Sequence, residues 1–253
     1  MPRPPGAPRD FRIDFFRGIA LYMILVDHLD ANPLAKLTYH RFGYSDAAEI
    51  FVLLSGVSCG IAYYQIQVDR GPIALMKALL KRAGLIYVFY AAASLVTILL
   101  VAFCTRLLAP SVVFDGCSAS CADGVLGASL SAIFLGDQVP FPGILVLYMA
   151  LTILVGPLLF AARQYGVAPT LALSGSAWAI TQFHPPAVGH VFMFPYFNPI
   201  AWQFLFAIGL FVGVQYRAPG RLAWTPPHWL LASAAVVVLA GLLAHLPSVR
   251  KRS

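Results

Sequence analysis

RDFRIDFFRGIALYMILVDHLDANPLAKLTYHRFGYSDAAEIFVLLSGVSCG, residues 9–60, sets a dense group of ionisable side chains inside or against apolar runs. The run from Phe15 to Leu29 contains Arg17, Asp27 and His28, and the next one, from Ala47 to Tyr64, opens just behind Asp46 and contains Glu49. Charge at membrane depth is costly to place and marks functional positions. The rest of the chain reads as scaffold around this stretch.

Composition sets the class: 60% of the 253 residues are hydrophobic and only 11% are charged, with a mean hydropathy of +0.79. Those values exclude a soluble domain and predict an all-α, polytopic transmembrane bundle. Seven apolar runs bounded by charge or by Pro and Gly predict spans at 13–29, 47–64, 84–104, 144–162, 170–183, 200–216 and 229–246. Residues 1–12 read as a disordered cytoplasmic tail, 13–246 as one integral-membrane domain and 247–253 as a basic tail.

The net charge of +7 is informative only through the placement of the 17 Lys and Arg residues. With the amino terminus inside, the cytoplasmic side collects eleven of them, including Arg3, Arg9, Arg12, Arg17, Arg70, Lys77, Lys81 and Arg82. The outer side receives three, Lys36, Arg41 and Arg106. That asymmetry predicts an N-inside orientation, with membrane lipid and not nucleic acid as the partner of the charge. Lys77, Lys81 and Arg82 stand at helical spacing in a predicted basic loop, 65–82, suited to lipid headgroups. Arg250, Lys251 and Arg252 fall outside under a seven-span count, so either one span is miscounted or the chain stops early.

Four cysteines without a partnering histidine pattern exclude a zinc site. Cys117 and Cys121, with Cys104 nearby, fit a disulfide on an oxidising outer side, whereas Cys59 reads as a small packing residue. His184 and His190, six apart in a Pro-broken loop, are too weak a pair to predict a metal. Residues 125–135 are apolar but too few to span.

On the first helix, Arg17 and His28 are 11 positions apart, a difference of about 20° around the axis and roughly 16 Å along it. They share one face at two depths. Asp14, one turn before Arg17, can restrain the guanidinium. Such a stripe must face protein or water rather than lipid. Asp27 beside His28, with Asp46 and Glu49 on the returning helix, completes a candidate acid/base cluster, because a carboxylate fixes the tautomer of an imidazole and raises its basicity. Trp202 and Gln203, the polar pair of the sixth span, join Arg17, Asp14, Asp46 and Ser55 as candidate substrate-binding residues.

RDFRIDFFRGIALYMILVDH followed by FGYSDAAEIFVLLSG resembles the opening of the OpgC family, the succinyltransferases of osmoregulated periplasmic glucans, within the superfamily of integral-membrane acyltransferases. The R-x10-H spacing of Arg17 and His28 matches that superfamily's motif, and residues 143–160 and 197–213 are similar to later helices of the family. The resemblance implies transfer of an acyl group, succinyl in the family, from cytoplasmic acyl-coenzyme A to a carbohydrate outside. It makes His28 the catalytic histidine and Arg17 the acyl-donor or structural arginine, and it puts Asp46, Glu49, Ser55 and Gly56 in the second family block. Acyl-coenzyme A enters as a substrate, and no bound cofactor or metal is expected because a thioester is already activated. Family members have about ten spans, so the resemblance also implies a shortened member. A proton-coupled carbohydrate exporter or flippase would use the same His/Glu pair as a relay. Seven spans also fit a receptor, against which the cytoplasmic amino terminus argues.

Overall fold

The computed structural model describes residues 11–27, 34, 47–108, 124–135, 143–183 and 198–217, and among them the regular structure is entirely helical. The helices are α1 (Phe11–Asp27), α2 (Ala47–Leu108), α3 (Gly124–Ile133), α4 (Gly143–Tyr165), α5 (Val167–Phe183) and α6 (Pro199–Arg217). Two compact units are formed, one by Met1–Ile61 with Leu205–Ser253 and the other by Ala62–Phe204, so the division falls within α2 and within α6.

The first unit rests on a close crossing of the start of α2 with α6. Gly56 and Gly60 are one turn apart on α2, and Gly209 and Gly213 are one turn apart on α6. A Cβ at Gly56 would come within 3.0 Å of backbone atoms of Phe206 and Leu210, and one at Gly60 within 3.0 Å of Leu210 and Val214. In return, Cβ atoms at Gly209 and Gly213 would strike the carbonyls of Leu53 and Val57. Four residues forward on one helix match four residues forward on the other, so the two helices run parallel. Paired small-xxx-small stripes let backbones approach this closely, which is how helices associate where lipid removes the hydrophobic drive. Phe206, Ala207, Leu210 and Val214 are all buried beside the glycines.

In the second unit α4 is the central helix, with Ile144, Leu147, Leu151, Val155, Leu158, Leu159 and Ala162 buried along it at helical spacing. Gly156 leaves room for the Met76 methyl and Leu79, which a Cβ there would meet at 3.0 and 3.4 Å. Gly166, at φ +93°, closes α4 and lets α5 begin at once, the position a left-handed residue takes after a helix. The Asn198 side chain accepts from the Ile200 amide at 3.0 Å, with Pro199 at the first helical position of α6, an N-cap arrangement. The ten-residue α3 is held against α2 by Tyr87, whose hydroxyl donates to the Ile133 carbonyl at 2.7 Å. Ile98 packs with Ala128 and Ala132 further along.

Three helical stretches are long and apolar enough to cross a membrane, Ala47–Cys104, Gly143–Tyr165 and Pro199–Arg217, so the chain is a membrane protein. This is fewer than the seven spans expected. α1 and α5 have 17 residues each, about 26 Å against a hydrocarbon thickness of ~30 Å. The predicted run 229–246 lies outside the described residues. At 65–82, read as a basic loop with Lys77, Lys81 and Arg82 at helical spacing, the chain is helical on both sides of Gly71, so the second and third predicted spans lie on two helical legs that meet at that residue. The residues of this stretch, among them Ala74, Leu75, Met76, Lys77, Ala78, Leu79, Leu80, Lys81 and Arg82, are strong helix formers, and nothing in them stops a helix that leaves the apolar layer. The single break is Gly71, at φ 81° and ψ 177°, followed by Pro72, which starts the new leg. α3, by contrast, stops short of a span, as its sequence indicates.

Cys59 is buried and Cys104 is partly buried. Cys117, Cys121, His184, His190 and the terminal basic residues lie outside the described residues.

Candidate functional site

α1 carries its polar groups on one side because its other side is built for lipid. Phe11, Phe15, Phe16, Leu21, Tyr22 and Leu25 are exposed, while Ala20 and Val26 are buried. Ile13, Asp14, Arg17, Ile24 and Asp27 are partly covered. Arg17, Ala20, Ile24 and Asp27 follow one another at three- and four-residue steps, so they form a stripe along the helix. The requirement that Arg17 face protein is met.

Arg17 is held from two directions. Its Nη1 lies 3.7 Å from Asp14 Oδ1, and its side chain is only 16% exposed. Its guanidinium carbon stands 5.5 Å from the centre of the Phe51 ring, in the first turns of α2. A desolvated cation over an aromatic face is worth about 2 kcal/mol, which offsets part of the cost of moving the charge away from water. The Arg17 Nε is buried as well. Phe51 does not stand out in the sequence, where it is one apolar residue among many. Only the packing of α1 on α2 makes it the floor beneath the cation.

Ser55 is one turn beyond Phe51, on the same side of α2, and is completely buried. Its hydroxyl has no hydrogen-bond partner. Ser58, three residues on, shows the ordinary alternative: its hydroxyl donates to the Leu54 carbonyl at 2.9 Å, the back-bonding expected of a helical serine. Ser55 therefore keeps a donor and an acceptor available on the side of α2 that carries Phe51.

Asp27 ends α1 with its Oδ2 buried. Glu49 lies in the first turn of α2, where the helix dipole favours a carboxylate. His28 and Asp46 lie outside the described residues, so of the predicted residues the structure brings Asp14 together with Arg17, beside Phe51, and places Ser55 one turn along α2 from that ring. Trp202 and Gln203 belong to the other unit. There the Gln203 amide donates to the Ser174 carbonyl at 2.7 Å, and the Ser174 hydroxyl donates to Gln203 Oε1. That pair pins α5 to α6 beside the Trp178 and Phe204 rings, whose centres are 6.0 Å apart.

An arginine held on the protein side of a membrane helix, against an aromatic ring and a carboxylate, defines a helical membrane protein with a fixed charge kept off lipid near its amino terminus. The chain belongs to the OpgC family: residues 9–252 match the family model described as OpgC protein. That membership suggests an acyltransferase. No curated protein matches the chain, and no solved structure does either.

Proposed function

We propose that this chain transfers an acyl group, succinyl by family resemblance, from acyl-coenzyme A at the cytoplasmic face to a hydroxyl of a glucan or other carbohydrate outside. The observation that carries the reading is the seating of Arg17, a permanently charged group kept off lipid by Asp14 and Phe51 within a family that suggests acyl transfer. A guanidinium there suits the phosphates of coenzyme A, which it can bind in bidentate fashion. Ser55 offers the donor's carbonyl a hydrogen bond from the same side of α2.

In this reading His28 removes the proton from the attacking sugar hydroxyl, and Asp27 or Glu49 orients its ring. The oxygen attacks the thioester carbonyl, the C–S bond breaks as the C–O bond forms, and the imidazolium returns its proton to the departing thiolate. The products are a sugar ester and free coenzyme A. Asp46 is assigned to substrate binding. The protein sits in a bacterial inner membrane with its amino terminus in the cytoplasm, so donor and acceptor approach from opposite sides.

The test is ester formation on glucan in membranes supplied with acyl-coenzyme A, with protein level measured in parallel. His28→Ala is expected to lower transfer by ~10²-fold or more, the scale of losing a positioned acid/base group, without lowering the amount of protein. Parent-level transfer by a well-expressed His28→Ala protein would remove the histidine from the chemistry. Glucan that changes sides without gaining an ester would favour the exporter.

A further inference from the structure

Helical serines and threonines in a membrane protein commonly satisfy their hydroxyls on the carbonyl one turn back, and this chain follows that rule repeatedly. Thr97 donates to Ala93 at 2.9 Å, Thr152 to Tyr148 at 2.7 Å and Thr170 to Gly166 at 2.8 Å. Ser94, one turn before Ile98 on α2, does not. It is 0% exposed, and its hydroxyl has no hydrogen-bond partner. Tyr90, one turn earlier and 1% exposed, likewise has a buried hydroxyl without a partner. The Tyr90 hydroxyl lies within reach of Ser94, yet neither oxygen closes a hydrogen bond.

The setting of these two oxygens is built by the fold. Tyr87, Tyr90, Ser94 and Ile98 follow one another at three- and four-residue steps, so they form one stripe of α2. α3 is fastened to that stripe at both ends, by the Tyr87 hydroxyl on the Ile133 carbonyl and by Ile98 against Ala128 and Ala132. The stripe between those fastenings carries Tyr90 and Ser94, with the Tyr87 ring 6.5 Å from that of Tyr90. A hydroxyl left unpaired in an apolar setting is destabilising, whereas a single oxygen that meets two or more polar partners removes the penalty.

We infer that Tyr90 and Ser94 form a second polar site beneath α3, which takes one neutral hydroxyl oxygen as a hydrogen-bonded bridge between the two side chains. The oxygen has two possible sources, a trapped water or a hydroxyl of a sugar. The sugar source rests on the acyl-transfer reading above, and the water source does not. Two uncharged hydroxyls can each donate or accept, so they match a hydroxyl ligand, while the apolar Ile98, Ala128 and Ala132 beside them disfavour an ion.

The experiment is thermal unfolding of the full chain in lipid nanodiscs, for the parent, Tyr90→Phe, Ser94→Ala and the double variant, with and without a glucose oligosaccharide at millimolar concentration. Each single change is expected to lower the midpoint by about 2–4 °C, and the double variant to lose less than the sum of the two while staying below the parent, because both hydroxyls hold the same oxygen. A sugar-dependent rise in the parent midpoint that disappears in the double variant assigns the oxygen to the sugar. Such losses without a sugar effect assign it to water, and they leave acyl transfer to be judged by its own assay. If Tyr90→Phe fails to accumulate, Ser94→Ala and the double variant decide between the shared oxygen and a direct bond of the two hydroxyls. Two outcomes overturn the proposal. One is variants as stable as the parent or more so, with no sugar effect, which means the hydroxyls are unpaired. The other is a double variant that recovers parent stability, which means they bond only to each other.

Discussion

Gly213→Ala tests the parallel crossing of α2 and α6 most directly. The added methyl would meet the Val57 carbonyl oxygen, carbon and Cα, all of them backbone, so no side chain can rotate out of the way. The helices would have to part by about 1 Å, and a gap of that size forfeits a quarter to a half of each contact's dispersion energy. Overpacking of this kind costs about 1–3 kcal/mol, and a contact between backbones belongs at the upper end. Against it stands a gain of about 1 kcal/mol for replacing a helical glycine by alanine. The net expectation is a loss of about 1–2 kcal/mol. Gly84 lies in α2 with nothing within 4 Å of its built Cβ, so Gly84→Ala keeps the propensity gain and meets no clash. The two variants should therefore differ by about 2–3 kcal/mol, or roughly 4–12 °C in midpoint. The assay is thermal unfolding in nanodiscs followed by circular dichroism, with Gly18→Ala as a second open-space control. Gly213→Ala melting together with Gly84→Ala would show that α2 and α6 do not meet at these glycines.

Arg17→Lys is expected to raise the KM for acyl-coenzyme A about tenfold with kcat little changed, because lysine keeps the charge but loses the planar fork and the flat contact with Phe51; an unaltered KM would make Arg17 a purely structural cation. Orientation follows from the distribution of basic residues: a reporter fused within 118–123 should read as external and one within 69–71 as cytoplasmic, and the reverse result would exchange the proposed donor and acceptor sides.

Much of α1 is legible in its residues. Helical periodicity alone places Arg17 and Asp14 on one side and predicts that this side avoids lipid, since no lipid-facing environment accommodates a fixed charge. The helix ends of α6 are equally local, because Asn198 and Pro199 carry their own capping geometry. At 65–82 the sequence marks the break between two spans and the helical spacing of Lys77, Lys81 and Arg82, but not that helix would run up to Gly71 on one side and from Pro72 on the other. Charge reports where a segment lies relative to the apolar layer and says nothing of whether its backbone is coiled.

Composition determined by itself that this is a helical membrane protein, since hydropathy and helical period are properties of one segment at a time, while the family came from the likeness of whole stretches to the OpgC family, which residues 9–252 match. The partners were another matter. Gly56, Gly60, Gly209 and Gly213 show their four-residue spacing in the sequence, but that spacing does not say that Phe206 and Leu53 lie against them or that the helices run parallel. Likewise the sequence does not distinguish Ser58, bonded to its own helix, from Ser55 and Ser94, whose hydroxyls are held open. Those distinctions belong to tertiary structure because they depend on which backbone or ring lies across the interface, and residues more than a hundred positions away supply it.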